Sequence, residues 1–176
     1  MDKRYFAGIG SRDCPQDVLD DMFKISAWLC SFSNQYILRS GGANGCDDFA
    51  EKGCDSVGGA KEIFLPWKNF NNNKSVLFNT PIGATLIAKS IHPAWNNLTT
   101  GAINLHSRNI CQILGQDLNA PVEFVLCYTE NGEVKGGTAT AINLSKQLNI
   151  PIFNLGSNGK AELKEYFKLN RRGNDE

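Results

Sequence analysis

The chain has only two histidines, no C-x-x-C pair among its six cysteines, and no excess of either charge. Each shortage removes a class of function. His92 and His106 have no neighbouring spacing that suits metal ligation or a nucleophile dyad, so no metal is expected and no catalytic residue is assigned. The cysteines at 14, 30, 46, 54, 111 and 127 form no metal or disulfide framework. Several fall inside apolar runs as small core residues, the pattern of a reduced, cytoplasmic protein. With 18 basic and 18 acidic residues, a polyanion would have to be held by a local cluster rather than by the field of the whole molecule, which argues against wrapping duplex DNA. No cationic start leads into an apolar stretch long enough for a signal or a membrane span, so no membrane partner is expected. Internal repeats are absent, and low complexity is confined to Asn71-Asn72-Asn73.

What is present is glycine in three telling places. Ser40-Gly41-Gly42-Ala43-Asn44-Gly45 follows the apolar run Tyr36-Ile37-Leu38 and precedes a helical pattern. Gly136-Gly137-Thr138 likewise follows Phe124-Val125-Leu126-Cys127-Tyr128 and opens a helical segment, while Gly8-Ile9-Gly10-Ser11-Arg12 closes the first apolar run. Glycine lets backbone N–H groups approach a ligand, and a helix start offers unpaired donors and a positive dipole end to an anion. The first loop departs from G-x-G-x-x-G spacing and lacks the Gly-Lys-Ser/Thr of a P-loop, so it reads as a generic phosphate turn rather than a dinucleotide or kinase loop.

Strands are expected at Arg4 to Gly10, Tyr36 to Leu38, Lys61 to Leu65, Val122 to Tyr128 and Pro151 to Leu155. Helices are expected after Pro15 through Leu29, from Asn44 to Gly53, and over Pro81 to Ile91, Gly101 to Leu114, Thr138 to Leu148 and Ala161 to Leu169. Strands alternating with helices make an α/β fold, with a mostly parallel sheet and helices on both faces. Residues 1–169 form one domain and 170–176 a polar tail that frays. In such sheets ligands bind outside the strand carboxyl ends at a switch point, where all three glycine turns fall. The polar stretch Pro66 to Thr80 is long for a connection and reads as a lid.

The candidate ligand-binding residues are Gly10, Ser11, Arg12, Arg39, Ser40, Gly41, Gly42, Asn44, Asp47, Arg108, Asn109, Gly136, Gly137 and Thr138. Arg12 can make a bidentate contact with phosphate, and Arg39 can do the same or pair with an acid such as Asp47. Asn44 is placed to cap the second helix, with Asp47 in a capping-box-like position or, alternatively, reaching ribose hydroxyls. Arg108 and Asn109 reach the crevice if their helical face turns inward, and otherwise form a polar face. Trp67, Phe70 and Trp95 serve either base stacking or packing. Glu51 is the other acid near the first loop considered as a general base.

Taken in order, Gly8-Ile9-Gly10-Ser11-Arg12, Ser40 through Asp47, Ser107-Arg108-Asn109 and Gly136-Gly137-Thr138 resemble the motifs of the SLOG superfamily, most of all the Rossmann-like core of DNA-processing DprA (Smf) proteins. The likeness runs from about Tyr5 to Leu155. It implies a single Rossmann-like domain and a shared pocket for nucleotide-derived ligands. Relatives include single-stranded DNA binders, LOG phosphoribohydrolases, and sensor domains for nucleotide-derived defence signals. LOG enzymes carry a glutamate shortly after their glycine motif. Here the run continues Ala139-Thr140-Ala141-Ile142 with no acid, which speaks against that hydrolysis. The resemblance therefore implies a binding protein for a small phosphorylated nucleotide derivative, with no further cofactor. Sensing, carrying or sequestering the ligand are its roles, and a phage-encoded sponge of a defence signal would fit. Single-stranded DNA binding and N-glycosidic bond hydrolysis are the alternatives. A homodimer or higher homo-oligomer is expected from the resemblance alone.

Overall fold

A computed structural model describes residues 3–172, and side chains through residue 170. Five strands, β1 (Arg4–Gly10), β2 (Tyr36–Ser40), β3 (Lys61–Ile63), β4 (Phe124–Tyr128) and β5 (Ile152–Asn154), form one sheet in the order β3-β2-β1-β4-β5. Every pairing is parallel. The chain lays β1, β2 and β3 outward in one direction, then returns to place β4 on the other side of β1. The strand order reverses between β1 and β4, and a crevice opens at such a point because the loops leaving the two strands diverge to opposite faces.

Six helices cover the sheet: α1 (Gln16–Cys30), α2 (Cys46–Ser56), α3 (Ile82–Ile91), α4 (Thr100–Leu114), α5 (Ala139–Gln147) and α6 (Gly159–Arg172). Alternation along the central strands divides the core in two, as a period of two requires. Phe6, Phe124 and Leu126 face one way and pack with Met22 and Leu29 of α1, Ala50 and Cys54 of α2 and Leu163 of α6. Ala7, Ile9, Val125 and Cys127 face the other way, against Ala84 and Ala88 of α3, Ile110 and Ile113 of α4 and Ala141 and Ile142 of α5. The α/β architecture with helices on both faces is as the alternation implied, and the sheet is wholly parallel.

Local differences have identifiable causes. Strand β2 runs on to Ser40 and β3 ends at Ile63; Phe64 still donates its N–H to the Ser40 carbonyl at 2.9 Å and also bridges Leu77. Asn44 does not cap α2: that position falls to Gly45, at φ 82° and ψ −125°, backbone space that glycine enters without a Cβ penalty. Helix α4 is capped by Thr99, whose side chain accepts the Ala102 N–H at 3.3 Å. Helix α6 continues through Asn170 to Arg172, past the expected start of the tail, held by Tyr166 and Phe167 against Phe124 and by Phe167 against Trp28. The rest of that tail, 173–176, lies outside the described residues. No helix among the described residues is long and apolar enough to cross a membrane.

The polar segment 66–80, expected to be a lid, lies away from the crevice. Its Phe70 is buried, Asn71 Nδ2 donates to the Gly42 carbonyl at 3.0 Å, and Asn73 Nδ2 donates to Glu51 at 2.9 Å. With Leu77 bridged to Phe64, the segment is tied along its length to the outer edge of the first glycine loop and does not border the crevice.

Candidate functional site

A crevice of about 640 Å³ opens at the carboxyl ends of β1 and β4, within the range of small-ligand sites. Three segments wall it. Ile9 to Asp13 comes off β1, Tyr128 to Glu130 continues β4, and Lys135 to Thr138 leads into α5. Helix α4 supplies Leu105, Arg108, Asn109 and Gln112, and Ala43 and Asp47 close the floor.

Of the residues singled out in the sequence, Gly10, Ser11, Arg12, Asp47, Arg108, Asn109, Gly136, Gly137 and Thr138 line this space, whereas Arg39, Ser40, Gly41, Gly42 and Asn44 do not. Arg39 stands on the side of the sheet where α4 packs, beside Tyr5, Gly115 and Ala120. Its Nε donates to Glu62 at 2.7 Å, its guanidinium lies 3.7 Å over the Tyr5 ring and it also reaches the Ala120 carbonyl. At 2% exposed it is a fixed internal charge, not a ligand contact and not a partner of Asp47. Ser40 is spent on the Gly8 carbonyl, to which its hydroxyl donates at 2.6 Å, and Asn44 is exposed outside the crevice.

Asp47 is neither a cap nor free to act on a ligand through both oxygens. Its Oδ1 accepts the Gly10 N–H and its Oδ2 the Gly41 N–H, each at 3.1 Å, so one carboxyl sews the β1 loop to the β2 loop. Complete burial pushes its pKa up to about 6, against the pull of Arg108 and the backbone donors. Arg108 is buried in turn. It donates to the carbonyls of Gly41 and, at 3.1 Å, Phe64, and its Nε donates to Asn109 Oδ1 at 3.0 Å. Burial lowers the guanidinium to about 10, which leaves it charged at neutral pH. Asn109 Nδ2 completes the chain by donating to the Gly137 carbonyl at 2.6 Å. The Ser107-Arg108-Asn109 stretch thus faces inward as one reading of the sequence had it, with donors committed mainly to protein carbonyls.

Two of the walls carry polar groups that the described residues do not use. The backbone N–H groups of Gly136, Gly137 and Thr138 have no acceptor among the described residues, and Arg12 is exposed with no hydrogen bond or ion pair there. Lys135 was not among the candidates. It lines the crevice while paired with Glu130 at 2.9 Å and Glu133 at 3.1 Å. Tyr128, Thr129 and Gln112 were also missed, since no local motif surrounds them; only the position of Tyr128 at a strand carboxyl end hinted at it. The lining holds three bases, Arg12, Arg108 and Lys135, and three acids, Asp13, Asp47 and Glu130.

The remaining candidates are elsewhere. Glu51 is held by Lys61 at 2.8 Å and by Asn73 and does not border the crevice. Trp67 packs edge-to-face on Phe70, and Trp95 lies against His92, and none of the three aromatics borders the crevice. His92 and His106, distant in sequence, come within 4.5 Å between ring centroids, and His106 Nδ1 pairs with the Thr140 hydroxyl at 2.7 Å.

These features define a parallel-sheet α/β protein with a polar crevice at its strand switch point. Solved structures with this fold include the molybdenum cofactor carrier protein of Chlamydomonas reinhardtii, 18% identical with a TM-score of 0.53, in a match spanning 98% of this chain and 87% of that one. Another is the DNA processing protein A of Helicobacter pylori, described for its single-stranded DNA binding mode. It is 19% identical with a TM-score of 0.54, and the match spans 93% of this chain and 72% of that one. No protein-family model matches the sequence, and no curated protein matches it.

Proposed function

We propose that this chain is a SLOG-type binding protein of the cytoplasm, holding a small phosphorylated nucleotide derivative in the crevice between β1 and β4. The observation that carries this reading is the combination of N–H groups at Gly136, Gly137 and Thr138 with Arg12 across the same crevice, none of them partnered among the described residues. Backbone donors at a helix start and a guanidinium are complementary to a phosphoryl group. A molybdenum cofactor carrier and a single-stranded DNA binder among the structures of this fold are in keeping with a binding role. Against hydrolysis of an N-glycosidic bond stand the commitment of both Asp47 oxygens to backbone donors and the removal of Glu51 from the crevice.

The test is native mass spectrometry of the protein as purified, followed by denaturation and identification of what is released. A retained nucleotide, or micromolar binding of nucleoside monophosphates in calorimetry, is the expected result. Failure of every nucleotide tried, together with oligonucleotide binding that weakens steeply with salt, would replace this reading with the single-stranded DNA one.

A further inference from the structure

Cys14 and Cys46 face each other beside the crevice with their sulfurs 2.7 Å apart. Cys14 lies in the turn between β1 and α1 and is half-buried; Cys46 is the first residue of α2 and is fully buried. Both converge on one backbone group. The Cys14 thiol donates to the Ser11 carbonyl at 3.0 Å, and the Cys46 N–H donates to the same oxygen at 3.3 Å. Ser11 and its neighbours Arg12 and Asp13 form a wall of the crevice, and Asp47, next to Cys46, ties the β1 and β2 loops together. No other element of the crevice uses these two sulfurs.

The two thiols are unequal. The hydrogen bond from Cys46 pulls the Cys14 thiol below its ordinary value, while the same contact and burial push Cys46 far up. The more acidic sulfur is thus also the accessible one, and thiolate character with access is what oxidation selects. A second pair offers an internal comparison. Cys30 and Cys54 join the other ends of α1 and α2, but there both residues are buried.

We propose that Cys14 and Cys46 form a reversible oxidation site, a peroxide-reactive dithiol whose disulfide locks the Ser11–Cys14 turn of the crevice onto the start of α2. The Cys14 thiolate attacks one oxygen of hydrogen peroxide, the O–O bond breaks, and the departing hydroxide takes up the proton that Cys14 shed, leaving as water and a sulfenic acid. The Cys46 sulfur, giving up its proton, then attacks the sulfenic sulfur. The S–S bond forms, the S–O bond breaks, and a second water leaves. Two electrons have passed from the sulfurs to the peroxide. Two equivalents of a small thiol reverse the change by exchange through a mixed disulfide. The site stands independently of the ligand proposed above, and its test needs none.

The full chain is treated with stoichiometric hydrogen peroxide, alkylated and mapped as peptides without reduction, and the exchange of backbone amides with deuterium is followed before and after. The expected result is a Cys14–Cys46 cross-link forming at least about tenfold faster than any Cys30–Cys54 link, reversed by dithiothreitol and lost in Cys14→Ser and Cys46→Ser. Amides from Ser11 to Cys14 should exchange more slowly after oxidation in the wild type and not in Cys14→Ser, the substitution at the less buried position. The thermal midpoint should rise on the order of 5 °C on oxidation, as a cross-link between the β1–α1 turn and α2 constrains the unfolded chain. Cys14 sulfinate without a cross-link, or a Cys30–Cys54 link forming first, overturns the site. A cross-link that leaves exchange of the turn unchanged overturns the locking.

Discussion

Asn109 donates from Nδ2 to the Gly137 carbonyl at 2.6 Å, joining the middle of α4 to the glycine loop ahead of α5. Its own Oδ1 accepts from Arg108 Nε, and Arg108 holds the Gly41 carbonyl on the other side. Two adjacent residues on one helix therefore clamp two glycine loops that are nearly a hundred residues apart in the chain. The loops keep their backbone donors oriented because their carbonyls are held from behind.

Asn109→Ala should loosen the second loop and leave an N–H of a buried guanidinium without an acceptor. A loss of about 2 kcal/mol in urea unfolding is expected, since an unpaired buried donor costs about 1–3 kcal/mol. Affinity for a nucleoside monophosphate, read by calorimetry, should fall as well. Wild-type stability in the variant would refute the clamp.

Gly41→Ala tests close approach. A Cβ at this position would run into the Arg108 guanidinium and the Gln112 amide, which are both buried. Overpacking of this kind costs about 1–3 kcal/mol, and here it displaces the donor that holds the loop. Urea unfolding should show the loss. A neutral result would mean that α4 yields freely.

Arg12→Ala should act on binding alone. The side chain is exposed and makes no hydrogen bond or ion pair among the described residues, so stability should change by less than about 0.5 kcal/mol. Phosphorylated ligands should bind about tenfold more weakly, with unphosphorylated nucleosides unaffected, the loss of one charge-assisted contact. Equal loss for both ligand types would remove phosphate from the role given to this residue.

Asp47 makes stability depend on pH with a predictable sign. Its folded pKa of about 6 lies above the ordinary carboxylate value, so between the two the folded state holds a proton that the unfolded state has lost. The stabilising contribution is complete below about pH 4 and disappears as pH rises through about 6, a change of about 3 kcal/mol at most. Subtracting unfolding free energies of Asp47→Asn from those of the wild type at pH 4, 5, 6 and 7 isolates it. A difference that grows in the wild type's favour as pH rises would contradict the buried carboxyl described here.

Much of the fold was legible because its signals are local. Glycine turns after apolar runs mark strand ends, and the 3.6-residue recurrence from Val18 to Leu29 could only be a helix buried on one side. The site was legible in part. Gly10, Ser11 and Arg12 lie at the crevice because they end or follow a strand, and the Gly136 loop because it leads into α5. Arg39 misled because sequence places it beside the glycine loop, while strand alternation turns it to the far face, where Tyr5, Glu62 and Ala120 bury it. Asn44 and Asp47 carried the spacing of a cap. Yet Gly45 took the helix start, and the short Asp47 side chain found better donors across the gap at Gly10 and Gly41.

By itself the sequence determined the alternation of strands and helices, the parallel α/β class and the location of the glycine turns, since each depends on periodicity and on the conformations glycine allows within a few residues. Only the tertiary structure decided which polar groups are spent on the protein and which remain for a ligand. Arg108, Asn109 and Asp47 are committed to loop carbonyls and amides, Cys14 meets Cys46 across 32 positions, and Arg12 with the Gly136 loop is left open. The reason is physical: a buried polar group must find a partner, and which partner lies within 3 Å is set by packing between elements far apart in the chain.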